Sequence, residues 1–462
     1  MMEAFRMDIP VSLTVPTPGV ADPRAGATRT LSPTERWYWI ADQLSTNNCA
    51  ARVRVEGELS MTALRGALGA LQARHPLLRQ AITAELSGVD PRFVPTDNPI
   101  PLREVVLARP DDARWADELD GTELAHPLDW RSGPLARAVV VSQPGQVHDL
   151  IISAPHCVAD GTTVLALLRQ WVRLTAEPPP AGQPVPSGSV LPPEARFPAR
   201  HRETSVELPD LPTGGADPGA VERDVTRLAP ERFVPFDRRR TRLLHRFLAG
   251  DALEGLALAC RREGVSMHGV LAAAMVSAVA RDLGAPTSAS FAIGSPVDFR
   301  DELDPPVSED EIGSFVSALP SVVRYRPDDL WSMARSVNRE IRERRERGEH
   351  FLPPRLLAER GPAGVADSGP FVRFMEEHGP FNVFISNMGR FDFPDTLGAW
   401  RLSGAQVVGG ISVIGYFAAV ACTSQGQLSW NFLYVDEAIS LARAERLADA
   451  SMAAVLAAAS TA

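Results

Sequence analysis

The stretch IISAPHCVADGTTV, residues 151–164, decides how the rest of the chain is interpreted, because it joins a strand pattern to a helix pattern through polar residues. An apolar run ends at His156, and Asp160 follows four residues later. Gly161 then opens a helical pattern that extends to about Thr175. Turns between a strand and a helix commonly present side chains into a cleft. The stretch therefore predicts a candidate site at the mouth of a strand.

His156 is the residue of this stretch that best suits a catalytic role. An imidazole can take a proton near neutral pH from a hydroxyl or amine that attacks a carbonyl. Asp160 would brace the loop by pairing with a cation elsewhere, and Gly161 would allow a backbone angle that larger residues resist. Cys157 would point away from His156 in an extended segment, which argues against a Cys–His nucleophile pair. The alternative is an ordinary turn histidine, because a histidine, an aspartate and a glycine at this spacing (HxxxDG) can also occur together by chance.

The composition of the 462-residue chain excludes several classes of function. The net charge of −10 disfavours a broad nucleic-acid surface, which needs clustered positive charge. All 47 basic residues are arginine, so Schiff-base lysine chemistry and the lysine of a phosphate-binding P-loop are both excluded. The four cysteines lack CxxC spacing, and we expect neither a metal site nor disulfides. The chain has no 18-residue apolar run and no signal-peptide pattern, so we expect a cytoplasmic protein without membrane spans.

Changes in composition divide the chain into four parts. Residues 1–30 lack any periodicity and are interpreted as a flexible lead, and residues 31–175 form an N-terminal lobe that carries the HxxxDG motif. Residues 176–235 are rich in proline and glycine and predict a linker or long crossover without a packed core. Residues 236–462 form a C-terminal lobe. Because each lobe mixes strand and helix patterns, the sequence predicts an α/β fold with mixed sheets.

Local patterns place the secondary-structure elements within these parts. Ser32, Pro33 and Glu35 predict a helix start with a capping box. A further helix is predicted from Met61 to about Leu71. The charged helix at about 328–347 has the pattern of a solvated face. Further strand patterns lie at 49–57, 134–142, 148–154, 242–250, 287–298, 381–386, 403–408, 412–420 and 427–434, and further helix patterns at 251–263, 266–283 and the alanine-rich C-terminus.

The six residues from His156 to Gly161 resemble the HxxxDG active-site motif of the thioester-dependent acyltransferase superfamily. That superfamily contains nonribosomal peptide condensation domains, polyketide-associated acyltransferases, alcohol acetyltransferases and plant BAHD enzymes, and the polyketide-associated group tends to share the spelling HCxADG. The resemblance extends in the same order from about residue 31 to the C-terminus. Its other segments are LSPTERWYWIADQL (31–44), HPLLR (75–79), PLDWRSGPLARAVVV (127–141), GVSMHGVLAAAMVSAV (264–279), SPVDFR (295–300) and FNVFISNMGR (381–390).

The resemblance implies a fold and a set of site residues. The fold would be two chloramphenicol-acetyltransferase-like lobes with a tunnel between them. His156 would be the general base, and Asp160 would be structural and form a salt bridge with Arg300, supported by Gly161. Nothing but the resemblance pairs Asp160 with Arg300, since they lie far apart in the chain. Asn387 would face the tunnel by the same likeness, and its alternative role is that of a strand-end turn residue.

Two departures from the family patterns bear on the reaction. Condensation domains usually carry a second histidine immediately before the catalytic one, and this chain has Pro155 there. The DFGWG segment of the plant BAHD enzymes is also missing from the sequence. These differences favour transfer of an acyl group to a free acceptor over chain elongation between two carrier proteins.

Three functions follow as hypotheses from the motif and the resemblance. The leading one is an acyltransferase of secondary metabolism that moves an acyl group from acyl-CoA or an acyl carrier protein to a hydroxyl or amine of a natural-product or lipid acceptor. The second is a stand-alone condensation-type amide synthase, and the third is a non-catalytic adaptor that docks carrier proteins. The first expects the thioester as substrate, no resident cofactor or metal, no nucleic-acid partner and a monomer.

Overall fold

The computed structural model describes residues 28–178, 191–202, 225–308, 311–411 and 413–460, which form three β-sheets with helices packed against them. Parallel and antiparallel strand neighbours occur within the same sheet. The predicted α/β class with mixed sheets is therefore confirmed.

The described residues form sixteen strands. In chain order they are β1 (Arg29–Thr30), β2 (Asn48–Glu56), β3 (Gln80–Thr83), β4 (Arg92–Pro95), β5 (Leu102–Val106), β6 (Arg137–Gln143), β7 (Val147–Pro155), β8 (Val225–Thr226), β9 (Thr241–Ala249), β10 (Ser290–Asp298), β11 (Val316–Arg324), β12 (Val383–Arg390), β13 (Thr396–Leu397), β14 (Trp400–Gly409), β15 (Phe417–Ser424) and β16 (Gln427–Val435).

The described residues also form eleven α-helices. They are α1 (Pro33–Leu44), α2 (Met61–Arg74), α3 (Arg114–Glu118), α4 (Gly161–Ala176), α5 (Ala199–Arg202), α6 (Gly250–Glu263), α7 (Met267–Asp282), α8 (Leu330–Glu346), α9 (Leu352–Arg360), α10 (Ser368–His378) and α11 (Leu441–Ser460). Within these residues no single helix has both the length and the apolar character that a bilayer crossing requires, although the bent pair α6 and α7 passes jointly by length and composition.

The two large sheets each belong mainly to one half of the chain. The six-stranded sheet has the order β13-β14-β2-β7-β6-β5. The seven-stranded sheet has the order β11-β10-β12-β15-β16-β9, with β8 beside β10. Strands β1, β4 and β3 form a small third sheet. The strand that ends next to His156 therefore lies inside a sheet, between β2 and β6, where its position is held from both sides.

Strand β14 connects the two halves of the molecule. It comes late in the chain, within the predicted C-terminal lobe, yet it pairs antiparallel with β2 of the first sheet. The next strand, β15, pairs with β12 and β16 of the second sheet. The side-chain amide of Asn431 on β16 donates to Gln406 Oε1 at 3.1 Å and to the Val407 carbonyl at 3.0 Å, both on β14. The two sheets thus meet along β14, next to the chain segment that carries His156.

The helix starts follow the sequence signals. Ser32 caps α1 by accepting from the Glu35 backbone N–H, and the Glu35 carboxylate accepts from the Ser32 backbone N–H in return, so the predicted capping box is present. Asp160 caps α4 in a similar manner, because its side chain accepts from the Thr163 backbone N–H at 2.8 Å. The aspartate of the motif therefore has a local role at the start of α4.

Parts of the predicted lead and linker contribute to the fold. Arg29 and Thr30 pair with β4, while residues 1–27 of the predicted lead lie outside the described residues. Within the predicted linker, the side chains of Phe197, Leu228 and Val234 are buried. The expectation that this stretch lacks a packed core is therefore wrong for its described parts. Proline-rich sequence limits regular structure, but it does not prevent single apolar side chains from being buried against neighbouring elements.

Candidate active site

His156 follows the last residue of β7 and is half-buried between the two large sheets. Its backbone N–H donates to the Asn47 carbonyl at 3.0 Å, which fixes the chain where the strand ends. The Tyr38 ring of α1 stacks on the imidazole with ring centroids 4.0 Å apart and an angle of 7° between the planes. The imidazole is therefore held in one plane by a neighbour that the motif does not include.

Ser314 is the side chain that approaches the imidazole at a ring nitrogen. Its Oγ lies 3.4 Å from His156 Nδ1. Ser314 is buried, so its contact at Nδ1 is shielded from water. The other ring nitrogen, Nε2, takes no part in this contact.

Asp160 does not contact the His156 ring by hydrogen bond in the described residues, because its oxygens are occupied elsewhere. Oδ1 accepts from Thr163 N and from Arg300 Nη2, each at 2.8 Å. Oδ2 accepts from Phe315 N, also at 2.8 Å. Because Phe315 directly follows Ser314, the carboxylate also fixes the position of the serine that faces the imidazole.

Arg300 reaches Asp160 across 140 positions of sequence, and the ion pair implied by the family resemblance is present. The same guanidinium donates to Thr163 Oγ1 at 2.9 Å and lies 4.6 Å from the centroid of the Phe315 ring. It also pairs with Asp298. Both members of the Asp160–Arg300 pair are buried, so the interaction lies in a medium that screens charge poorly.

Burial and charge act in opposite directions on the pKa values of these groups. Burial lowers the pKa of His156 below its ordinary value, and the nearby negative charge of Asp160 opposes this only in part. Burial acts to raise the pKa of Asp160, but the Arg300 guanidinium and the bonds from Thr163 and Phe315 outweigh it, so the net pKa is lowered. At neutral pH the site therefore holds a neutral imidazole and an ionised carboxylate.

A cavity of about 100 Å³ opens at His156 between the two sheets. Its polar lining consists of Tyr38, Cys49, His156, Asp160 and Ser386. The rest of the lining is glycine, proline and apolar side chains from both sheets, including Phe384 and Met388 of β12, Val407 and Val408 of β14, Val420 of β15 and Leu433 of β16. Such a cavity suits an aliphatic group next to a single proton acceptor.

Gly161 lies where α4 begins, directly against β12. A Cβ atom at this position would come within 2.7 Å of Met388 Sδ and 3.4 Å of Met388 Cε. Its φ angle is not in the left-handed region, so the expectation that Gly161 supplies a special backbone angle is wrong. Glycine suits this position because the end of the Met388 side chain occupies the space that a Cβ atom would need.

The cysteines and acidic groups do not form a second kind of centre. All four cysteines are free and buried, and burial raises the pKa of both Cys49 and Cys157. In the described part of the chain, no three His, Cys, Asp or Glu side chains are grouped as a metal ion would require.

Family comparisons cover both halves of the chain. The condensation domain model matches residues 28–184, and the model of the phthiocerol/phthiodiolone dimycocerosyl transferase C-terminus matches residues 248–408. The chain belongs to the condensation-domain-like acyltransferase superfamily. The match over the first half contains His156, and the match over the second half contains Arg300.

Relatives of this superfamily member include large peptide synthetases. The chain is 24% identical over 314 residues to a plipastatin synthase of Bacillus subtilis, covering 64% of this chain and 11% of that protein. It is 31% identical over 157 residues to a linear gramicidin synthase of Brevibacillus parabrevis, covering 32% of this chain and 2% of that protein. The chain thus spans only a small part of the length of these relatives.

Solved structures of the superfamily share the fold over nearly the whole chain. Polyketide synthase associated protein 5 from Mycobacterium tuberculosis has a TM-score of 0.61 at 18% identity, covering 94% of this chain and 98% of that one. The starter condensation domain of rhizomide synthetase RzmA, solved in complex with C8-CoA, has a TM-score of 0.62 at 15% identity, covering 94% and 95%. The two-lobed chloramphenicol-acetyltransferase-like fold implied by the motif is confirmed.

Asn387 is not among the residues that line the cavity. The expectation from the resemblance that it faces the tunnel is therefore corrected. The lining residues of β12 are Phe384, Ser386 and Met388, and successive side chains of a strand point to opposite faces. The Asn387 side chain instead accepts from the Gly389 backbone N–H at 2.9 Å. Asn387 thus makes a local contact within β12, where the pairing with β15 becomes irregular between Asn387 and Arg390.

Two residues of the site were missed at the level of sequence. Tyr38 lies in the resembling segment 31–44, but nothing in that segment singles it out as a site residue. Ser314 lies 158 positions from His156, in a segment that the motif does not reach. Only the packing of α1 and of the segment before β11 around the end of β7 brings the two side chains to the imidazole.

Proposed function

We propose that this protein transfers an acyl group from a thioester, on coenzyme A or an acyl carrier protein, to a hydroxyl or amine of a small natural-product or lipid acceptor. The observation that carries this proposal is the position of the His156 imidazole at an apolar cavity between the two sheets. Burial lowers the pKa of this imidazole, which favours its neutral, proton-accepting form. A neutral imidazole next to space for an aliphatic chain is what general-base catalysis of acyl transfer requires.

The chemical steps need one proton acceptor. His156 Nε2 takes the proton from the acceptor hydroxyl or amine as its oxygen or nitrogen attacks the thioester carbonyl. The tetrahedral intermediate then collapses, the carbon–sulfur bond breaks, and the imidazolium returns the proton to the leaving thiolate. The reaction uses the tautomer in which Nδ1–H faces Ser314 Oγ, whose hydroxyl oxygen can accept from it, so that Nε2 carries the free lone pair.

Direct attack by the acceptor is favoured over an acyl-enzyme. Cys49 lines the cavity, but burial raises the pKa of its thiol, and a thiolate is needed for nucleophilic attack. Cys157 is buried with a similarly raised pKa. The thioester is thus substrate in this proposal, the protein needs no resident cofactor, and a monomer suffices because both sheets that line the cavity belong to one chain.

Asp160 and Arg300 are positioning residues in this scheme. Arg300 holds the Asp160 carboxylate, which in turn accepts from the Phe315 backbone N–H. Because Ser314 directly precedes Phe315, this contact fixes the position of Ser314 next to the imidazole. The second candidate function is a condensation-type amide synthase, favoured by the matches to peptide synthetases. It differs from the first in using two carrier-bound substrates.

The test is thiol release from a panel of acyl-CoA and carrier-bound donors with simple alcohols and amines, with product masses read by mass spectrometry. We expect the wild type to form an ester or amide and His156→Ala to lose at least a hundredfold in kcat, since a positioned general base contributes about 10²- to 10⁴-fold. His148→Ala is the matched control, because His148 lies on the same strand at the other end and contacts Ser142.

The outcomes separate the candidates. Near-normal turnover in His156→Ala removes the general-base proposal. Product only from two carrier-bound substrates favours the amide synthase. Binding of a carrier protein without turnover of any thioester leaves the non-catalytic adaptor.

A further inference from the structure

A groove lies where β10 begins and β11 ends, and positively charged side chains line it although the chain as a whole is acidic. It has a volume of about 320 Å³ and lies between β11 and α8. Three guanidiniums line it, those of Arg324, Arg326 and Arg339, together with the hydroxyl-bearing side chains of Ser332 and Ser336. A space of this size is within the range of small-molecule sites.

Among the residues that the structure describes, the three arginines differ from their neighbours because none of them has an acidic partner. On the same helix Arg335 pairs with Glu263, and Arg344 pairs with Glu349. Across the described ranges, by contrast, no carboxylate forms an ion pair with any arginine of the groove. Their bonds are to neutral groups: Arg324 Nε donates to the Thr287 carbonyl at 3.3 Å, and Arg339 Nη2 donates to Ser336 Oγ at 3.1 Å.

The acidic side chains near the groove are already engaged or face solvent. Glu340 is the one carboxylate among the described lining residues, against three guanidiniums, and it lies 3.8 Å from Arg344. The Asp329 carboxylate accepts from the Ser332 backbone N–H at the start of α8. Asp328 is exposed. The groove therefore keeps an excess of positive charge in a chain of net charge −10, which is the electrostatic pattern of an anion site.

One face of the β10–β11 strand pair runs from this groove to the cavity at His156. Val316 and Ala318 of β11 line the cavity, whereas Val322 and Arg324 line the groove, and side chains two apart lie on the same face of a strand. On β10, Pro296 lines the cavity and Ser290 lines the groove. The residues of this face of β11 are partly exposed, while those of the opposite face are buried.

The length of this face matches the phosphopantetheine arm of an acyl donor. From Ala318 to Arg324 the strand rises by roughly 20 Å at about 3.3 Å per residue. That is comparable with an extended phosphopantetheine arm. A molecule with its thioester at His156 would then place its phosphate groups at the groove.

We infer that the Arg324–Arg326–Arg339 groove binds the phosphate-bearing nucleotide end of coenzyme A while the acyl thioester lies at His156. This rests on the proposed function for the position of the thioester, but not for the binding of the nucleotide. Coenzyme A carries a diphosphate and a ribose phosphate, so three guanidiniums have three phosphate groups to contact. The single phosphodiester of a carrier protein would leave most of this charge unmatched.

Calorimetric titration with coenzyme A alone and with adenosine 3′,5′-bisphosphate tests the inference. The proteins are the full-length wild type, the triple variant Arg324→Gln, Arg326→Gln, Arg339→Gln, and the control Arg342→Gln on the outer face of α8, where Arg342 lies near Glu346. We expect the triple variant to bind both probes at least tenfold more weakly, since charge-assisted hydrogen bonds are lost. Binding to the wild type should also weaken with added salt, and the control should bind normally.

Repeating the titration with His156→Ala separates this inference from the proposed function. Unchanged nucleotide binding in His156→Ala, with no turnover of any thioester by the wild type, would leave the groove in place and overturn only the acyl transfer. Equal binding by the wild type and a folded triple variant, checked by thermal unfolding, would overturn the groove. So would the finding that only carrier-bound donors are accepted and that coenzyme A does not bind.

Discussion

At the scale of single residues, burial lowers the pKa of His156, and a series of contacts orients the imidazole. Asp160 contacts Arg300, Thr163 and Phe315 but not the imidazole. The carboxylate therefore acts through the backbone that carries Ser314. This division of roles explains why the aspartate of the motif lies four residues after the histidine, at the start of α4, and not beside the ring.

The pH dependence of catalysis follows from the lowered pKa of His156. The base must be neutral, so kcat/KM of the wild type should rise with pH along an acid limb whose midpoint lies below the ordinary histidine value of 6.5. A pH–rate profile with a good acyl donor measures it. An acid limb well above 6.5 would contradict the assignment.

Ser314→Ala removes the partner of Nδ1. We expect kcat to fall about tenfold with little change in KM, and the acid limb to move to lower pH, because the hydroxyl oxygen no longer stabilises the imidazolium. Ser314→Thr should recover most of the rate. Ser317→Ala, at a buried serine of β11, is the control, and an equal loss in that variant would point to a general packing effect.

Asp160→Ala leaves the buried Arg300 without its main partner. We expect the free energy of unfolding at pH 7 to fall by about 3 kcal/mol, as for other broken buried pairs, measured by urea denaturation. Because the folded-state pKa of Asp160 is lowered, this stabilisation is present above the ordinary aspartate pKa and is lost as pH falls through the folded value. Arg246→Ala, at the exposed pair with Asp449, should cost under about 1 kcal/mol.

At the scale of elements, the start of α4 packs against β12 through one side chain. Gly161 leaves room for the end of Met388, and Thr162 Oγ1 lies 3.8 Å from Met388 Sδ. Both Gly161 and Met388 line the cavity. The helix that carries the motif and the strand that follows α10 therefore share the wall of the site.

Gly161→Ala should displace the Met388 side chain into the cavity. We expect a roughly tenfold lower kcat/KM with little loss of stability, since a methionine end moves easily and the backbone angle suits alanine. The double variant Gly161→Ala, Met388→Ala should regain activity because the new methyl group then has space. Steady-state kinetics of the two single variants and the double variant measure the coupling, and simple additivity would argue against the contact.

At the scale of the whole molecule, the two sheets are connected because one strand from the second half of the chain belongs to the first sheet. Strand β14 from the second half pairs with β2, and Asn431 of β16 donates across to Gln406 and Val407. The Asp160–Arg300 pair adds a second connection between the halves. Neither half can lose its structure without removing hydrogen bonds from the other.

We therefore expect calorimetry to show one unfolding transition for the whole chain. Asn431→Ala should lower the transition temperature, because buried groups on β14 lose their partner, yet the transition should stay single. Two separate transitions in the wild type, or in this variant, would show that the halves unfold independently.

Local signals predicted most elements well. The capping box of α1 and the charged helix α8 lie where the patterns place them, because caps and periodicity depend on neighbours within a few residues. The position of His156 at the end of a strand was equally readable. The patterns missed β11 with Ser314 before it, and they missed α9 and α10, because none of these segments carries a strong start signal.

The sequence by itself determined the motif, its strand and helix, and, through resemblance, the superfamily and the pairing of Asp160 with Arg300. Only the tertiary structure decided that Ser314 and Tyr38 contact the imidazole, that β14 joins the first sheet, and that Asn387 faces away from the cavity. The physical reason is that caps and periodicity are local, whereas strand pairing and register are set by long-range packing. A shift of one residue along a strand reverses which side chains face a cavity.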